Sequence, residues 1–232
     1  MKGFLMSEKY PELTIRFAKR KSLRLTVDLG GRFILYCPKG YSKKLAYEFY
    51  EKHRSSLLDR QKSRTDELMA KLFEIQNGSY TLLYFGKRYP LVFTDVKGLS
   101  FDGVRFTFPA GLSLEVCRDT YREFLRKVTK AYVVPLVAEI AQKHGFSYEK
   151  VTVKAVHSRY GSCSAKKNLN FTLALAACDP AFINMVICHE LAHTVHLDHS
   201  EKFHALLDRI CPNNRSISAS ASYSYVLQAL CC

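Results

Sequence analysis

The chain has 232 residues, enough for one large domain or two small ones with a substantial buried core. Its 47% hydrophobic and 24% charged residues are typical of a soluble globular protein, and no apolar run reaches the ~18 residues that a membrane span requires. The N-terminus lacks the apolar segment of a secretory signal, so we expect a cytoplasmic protein whose cysteines, none in a CxxC pair, are reduced.

The net charge of +14 is unevenly distributed along the chain. Residues 1–100 contain 20 Lys and Arg against 10 Asp and Glu, whereas residues 101–232 contain 15 against 11. The excess indicates either an anionic partner such as nucleic acid or an ordinary solvated basic surface. Because the charges form no dense run, both interpretations stay open.

The first part of the chain predicts strands around one polar helix. Apolar residues alternate with polar ones over 23–29, and together with residues 33–36 they predict a hairpin turned by Gly30-Gly31. Ser42 then precedes a helical stretch that continues to about Glu74.

A second hairpin is predicted from residues 80–85 and 89–94, and Pro109-Ala110-Gly111 is the strongest boundary signal in the chain. We therefore expect two domains. A basic, strand-rich region with one long helix covers residues 1–110, and the second domain covers residues 111–232.

The second domain begins with a long helix predicted over about 112–143, which Pro135 is expected to kink or split. A strand is predicted at 151–155. A polar loop over 157–167 then leads into a strand at 169–175 that has one apolar face.

Asp179-Pro180 is a strong helix start, because Asp caps free N–H groups and Pro suits the first helical position. This helix is expected to end near Leu197, since residues 198–201 resemble a capping box for a further helix. That further helix is predicted to bury Phe203, Leu206, Leu207 and Ile210.

The segment His189-Glu190-Leu191-Ala192-His193 carries the clearest chemical signal. Histidines at positions i and i+4 of a helix project on one face and can share one tetrahedral zinc ion. Glu190 then points to the flank of the metal, where a carboxylate can take a proton from a zinc-bound water. The alternative interpretation is a pair of stacked surface histidines beside an unrelated glutamate.

A catalytic zinc needs a third protein ligand, and the candidates are His196, His199 and His204. A straight helix cannot wrap a third imidazole around the ion, so His196 is the weaker candidate. His199 lies past the predicted helix end, where the chain can fold back, and it is favoured over His204. The spacing matches metzincins, but His196 replaces their turn glycine and no methionine follows to supply a Met-turn.

Several motifs in one order resemble a known family. The segments are residues 158–164 (SRYGSCS), 169–171 (LNF) and 189–193 (HELAH), followed by His199-Ser200 and Phe203. They resemble the YgjP-like metallopeptidase family, which is related to SprT-like and other minimal zincins, and the resemblance is strongest over about residues 155–207.

The resemblance implies a zinc-dependent peptidase with His189, His193 and His199 as zinc ligands and Glu190 as the catalytic base. It also implies an α+β fold, in which residues 111–232 form a zincin-like catalytic domain whose active-site helix packs on a small sheet, next to a strand-rich N-terminal half. The substrate would be a peptide or protein.

Two residues depart from the family pattern, because Tyr160 and His204 stand where tryptophans are usual; we interpret both as packing changes, although His204 can also touch metal or substrate. Similarity to other zincins suggests that the strand at 169–175 is an edge to which a peptide adds. Arg159 either steadies an anionic group or the reaction's oxyanion, or it braces the loop.

Three functional hypotheses follow. The first is a zinc peptidase. The second is a nucleic-acid-associated protein that docks through its basic N-terminal half, with the zinc site acting on bound proteins or serving only structurally. The third is a non-catalytic module with a structural metal, against which Glu190 weighs because a structural zinc does not require that carboxylate.

Overall fold

The computed structural model describes Tyr10 and residues 12–27 and 33–231, and it confirms the predicted α+β class. None of the helices in these ranges is long and apolar enough to cross a membrane. They are α1 (Lys43–Leu72), α2 (Leu114–His144), α3 (Pro180–Ala192), α4 (Glu201–Ile210), α5 (Asn214–Ser220) and α6 (Ser224–Cys231), with a 3-10 helix at Leu173–Ala177.

Contacts divide the chain into two compact units, Met1–Asp66 and Glu67–Cys232. In the first unit, β1 (Leu13–Ala18) pairs in parallel with β3 (Phe33–Pro38), and β2 (Arg24–Val27) pairs antiparallel with β3. The β2–β3 pair was predicted, as was α1, while the predicted turn at Gly30-Gly31 lies outside the described residues.

A five-stranded sheet lies in the first part of the second unit. Its core includes Leu82 and Phe106, which pack with Tyr121 and Leu125 of α2. Because these strands share a core with α2, the contact boundary falls at Asp66 rather than after residue 110. The strands are β4 (Ile75–Gln76), β5 (Ser79–Tyr84), β6 (Lys87–Thr94), β7 (Ser100–Phe101) and β8 (Phe106–Pro109), and their order in the sheet is β4-β5-β6-β8-β7.

The predicted hairpin of β5 and β6 is confirmed, and its turn approaches the start of α3. Gly86 has φ +78°, and a Cβ there would lie 2.6 Å from Cβ of Asp179. Only glycine combines this backbone conformation with so close an approach.

Helix α2 runs without interruption through Pro135, so the split expected there does not occur. Val133 and Val137 on either side of the proline are fully buried in one core. This continuous packing holds the helix together where the proline removes a backbone hydrogen bond.

A three-stranded sheet supports the HELAH helix, with β11 (Asn168–Thr172) between β10 (Gly161–Cys163) and β9 (Lys150–Lys154). Strand β11 pairs antiparallel with β10 and in parallel with β9. The segment predicted as a polar loop at 157–167 thus contains the short strand β10, and the expectation of an edge strand at 169–175 was wrong, because β11 is paired on both sides. Residues Gly161–Cys163 give no apolar alternation, so β10 leaves no periodic signal.

The predicted strand at 169–175 also ends early, at Thr172. From Leu173 the chain forms the 3-10 helix, in which Thr129 of α2 donates its hydroxyl hydrogen to the Leu173 carbonyl (2.7 Å) and accepts from the Ala176 amide (3.2 Å). Residues 173–177 are all buried, so the apolar alternation there reflects a core turn rather than one face of a strand.

Helix α3 starts as predicted, with Asp179 Oδ1 accepting from the Phe182 amide at 2.9 Å. It ends at Ala192, five residues before the predicted Leu197, because the Thr194 hydroxyl and amide both donate to the Leu191 carbonyl. Helix α4 has Ser200 as N-cap without a side-chain capping bond, so the predicted capping box does not form.

Candidate metal centre

Three imidazoles converge where α3 ends and the chain turns back toward α4. His189 lies in the last turn of α3, His193 caps its C-terminus, and His199 precedes α4 by two residues. The Nε2 atom of His189 lies 3.2 Å from Nε2 of His193 and 3.3 Å from Nε2 of His199. Of the residues that the structure describes, these form the one group of three with metal-ligand spacing.

Phe203 of α4 packs against all three imidazoles of this cluster. Its side chain is fully buried, and its ring centroid lies 5.0 Å from that of His189, 4.5 Å from that of His193 and 4.9 Å from that of His199. One aromatic ring thus limits the positions of all three imidazoles.

The tautomer and the protonation state of the histidines are those that a bound cation requires. His193 donates its Nδ1–H to the His196 carbonyl at 3.0 Å, which leaves the Nε2 lone pair free to face the other two rings. Burial, followed by the neighbouring histidines, lowers the pKa of His189 to about 4, and burial also lowers the pKa of His193. Both rings are therefore neutral at pH 7, as a metal ligand must be.

The spacing of the nitrogens fits a tetrahedral ion. Two ligands at about 2.0–2.1 Å from zinc in tetrahedral geometry lie about 3.3–3.4 Å apart. The two Nε2 separations of 3.2 and 3.3 Å match this value. Three ring nitrogens crowded together cannot all donate to one another, so a cation that accepts their lone pairs satisfies the cluster.

Glu190 is buried beside the cluster, with 5% of its surface exposed. No described residue is a hydrogen-bond partner of its buried Oε2 atom. Burial raises the pKa of Glu190 to about 7, against a smaller lowering by Arg159. A buried carboxylate without a partner is costly, so its free oxygen indicates a place for a water or ligand.

Gly161 of β10 makes room for this carboxylate. A Cβ at position 161 would lie 2.6 Å from both Cγ and Oε1 of Glu190. Because residue 161 has no side chain, strand β10 can pack directly against Glu190. Sequence reasoning missed its role, although a glycine inside the SRYGSCS motif was the available signal.

The remaining sequence candidates lie outside the cluster. His196 is half-buried beyond the end of α3 and contributes only its carbonyl to His193. The ring of His204 is exposed and has its centroid 6.4 Å from that of His199. Tyr160 packs edge-on against Phe182, with centroids 4.8 Å apart, which agrees with a packing role.

A cleft of about 420 Å³ opens onto His189 and Glu190. Its walls include Met185 of α3 and Ser218 of α5. That α5 borders the site could not be predicted, because the serine-rich tail carries no periodic pattern.

These features are those of the HExxH metallopeptidases as a class. A helix carries two histidines and a glutamate, a third histidine returns to it, and a small sheet adjoins it. The chain belongs to the YgjP-like family, because a model of the YgjP-like metallopeptidase domain matches residues 21–220. Membership implies a divalent metal. No curated protein and no solved structure matches the chain.

The burial of Glu190 has a measurable cost in the metal-free protein. Because its folded pKa of about 7 exceeds the ordinary glutamate value of 4.5, the folded state holds the proton more tightly, and the free energy of unfolding falls as pH rises through this window. We expect Glu190→Gln to remove this slope and to be more stable than the parent by about 1–3 kcal/mol at pH 8.

The measurement is urea unfolding of both proteins in chelator between pH 5 and 8. Glu149→Gln, at an exposed position, is the control and should follow the parent at every pH. A constant difference between parent and Glu190→Gln across this range would contradict the assigned pKa shift.

Proposed function

We propose that the protein is a zinc-dependent metallopeptidase with His189, His193 and His199 as ligands and Glu190 as general base. The convergence of the three Nε2 atoms beside a buried carboxylate with a free oxygen carries this proposal. A structural zinc site is closed by four protein ligands, whereas three histidines leave a position open for chemistry.

Zinc held there would polarise the scissile carbonyl and lower the pKa of a water molecule. Glu190 accepts the proton of the attacking water on its free oxygen and passes it to the leaving amine. Gly161 leaves the carboxylate enough space for this exchange. The bond from His193 Nδ1 to the His196 carbonyl keeps the imidazole in the tautomer that can bind metal.

Strand β10 is the candidate for pairing with the substrate backbone. Within the described chain it pairs only with β11, and Gly161 at its start contacts Glu190. A peptide that added to its free edge would run past the general base. This role replaces the one expected for residues 169–175, since β11 is paired on both sides.

The choice of third ligand can be tested by zinc affinity. We expect His199→Ala to weaken zinc binding by more than about 100-fold, because a direct ligand is lost, and His204→Ala to change it by less than about threefold. Competition with a chromophoric chelator at pH 7.5 measures both constants. Equal losses in the two variants would refute the assignment of His199.

The role of Glu190 can be separated from metal binding. We expect Glu190→Gln to retain one zinc per chain and to lower peptide hydrolysis by about 10²–10⁴-fold, since the amide cannot accept the proton. Zinc content and turnover of a quenched fluorescent peptide library are the measurements. Glu201→Gln, an exposed change at the start of α4, is the control. Unchanged turnover in Glu190→Gln would leave only a structural metal site.

A second candidate function is nucleic-acid binding, which is compatible with the first. Its support is the excess of 20 Lys and Arg over 10 Asp and Glu in residues 1–100 and the exposed Lys43, Lys44 and Lys52 on α1. We expect affinity for duplex DNA to fall at least about tenfold between 50 and 200 mM salt and to weaken in the double variant K43E/K44E. Mobility shifts measure this, and no binding at 50 mM salt would exclude it.

A further inference from the structure

Three neighbouring clefts in the second unit share lining residues, and two of them are lined by His189 of the candidate metal centre. A cleft of about 220 Å³ along β10 shares Arg159, Tyr160 and Gly161 with the cleft of about 420 Å³ at Glu190. The latter shares Met185, His189 and Ser218 with a third, of about 580 Å³, beside α4 and α5. These three clefts are called the groove below, and Glu190 is among the residues that line its middle cleft.

The charged side chains that line this groove are almost all cationic. Lys154 and Arg159 lie at the β10 end, and Arg215 lies at the α5 end. Among the residues that line the three clefts, Glu190 is the one acidic residue, and it is buried. A cleft lined by one sign of charge concentrates ligands of the opposite sign.

The cations at the two ends differ in one respect. Arg215 is neutralised by Asp208, with Nη2 and Oδ2 3.0 Å apart. The side chains of Lys154 and Arg159 are exposed, and neither makes a hydrogen bond or ion pair within the described part of the chain. Arg159 acts on the buried Glu190 through its charge alone, without an ion pair. The charges of Lys154 and Arg159 are thus available to a ligand at the β10 end, whereas the charge of Arg215 is already used.

Arg159 has the better chemistry and position for recognition. A guanidinium binds a carboxylate through two parallel hydrogen bonds, while a lysine offers a point charge. Arg159 also lies two residues before Gly161, which contacts the base. A carboxylate bound by Arg159 would therefore belong to a substrate residue close to the scissile bond.

We propose that the groove selects peptide segments that carry an acidic side chain near the scissile bond, and that Arg159 is the residue that recognises this carboxylate, with Lys154 assisting. The proposal rests on the proposed peptidase function and names its substrate class.

Matched peptides provide the test. Quenched fluorescent peptides place a single Glu at each position from four residues before to four residues after a fixed cleavage site, and each is paired with the Gln peptide of equal shape. With the zinc-loaded protein, we expect kcat/KM for Glu to exceed that for Gln about tenfold at one or two neighbouring positions. The preference should shrink between 50 and 300 mM salt because the charges are exposed.

Variants assign the preference to a side chain. Arg159→Gln should bring the Glu/Gln ratio close to one, mainly through KM for the Glu peptide, and Lys154→Gln should reduce it less. Lys166→Gln removes an equal charge from the β10–β11 turn outside the groove and should leave the ratio unchanged. Equal rates for Glu and Gln at all positions would overturn the proposal. So would an Arg159→Gln variant that slows both peptides by one factor, because Arg159 would then act on the reaction itself.

A binding measurement separates this inference from the peptidase function. Fluorescence anisotropy of labelled Glu and Gln peptides with zinc-loaded Glu190→Gln reports selection without turnover. Tighter binding of the Glu peptide that is lost on adding Arg159→Gln supports the inference, even if no peptide is cleaved and the peptidase function fails. Equal binding of the two peptides overturns the inference, even if cleavage is observed.

Discussion

The ring of Phe203 touches all three imidazoles, and the geometry of the candidate metal centre depends on this packing. Phe203 lies in the first turn of α4. Further along the same helix, Leu206 and Leu207 are buried in one core with Ile187 and Leu191 of α3. The hydrophobic face of α4 thus fixes its position against α3. Because His199 precedes α4 by two residues, the same burial that anchors the helix also brings the third imidazole to the first two.

The positions of His189 and His193 required no tertiary information. Asp179 and Pro180 start the helix, the i, i+4 spacing puts both rings on one face, and the local signal was sufficient for both. The choice of His199 depended on the chain turning after α3. The turn begins earlier in the chain than the predicted helix end near Leu197. Hydrogen bonds from Thr194 to the Leu191 carbonyl end the helix at Ala192.

The elements that could not be predicted from the sequence are those that depend on contacts with residues far away along the chain. Strand β10 has three small or polar residues and exists through its pairing with β11. The 3-10 helix at 173–177 has the alternation of a strand, but Thr129 of α2 bonds its backbone and turns the chain. Helix α5 lies within a serine-rich stretch and α6 follows it, and the buried residues of α6 meet the core of the second unit only after folding. Local pattern cannot report such contacts.

Burial shifts the pKa values of His189 and Glu190 in opposite directions, and both shifts favour an uncharged side chain. It lowers the pKa of His189 to about 4 and raises the pKa of Glu190 to about 7, so it favours the neutral form of both. Neutral imidazoles offer lone pairs to a cation, and a nearby cation in turn favours the ionised carboxylate that a general base requires. The buried carboxylate therefore lowers the stability of the folded protein at neutral pH, and Gly161 leaves the space that this carboxylate occupies. A divalent ion held by the proposed ligands would reduce this cost, because it would favour the ionised form.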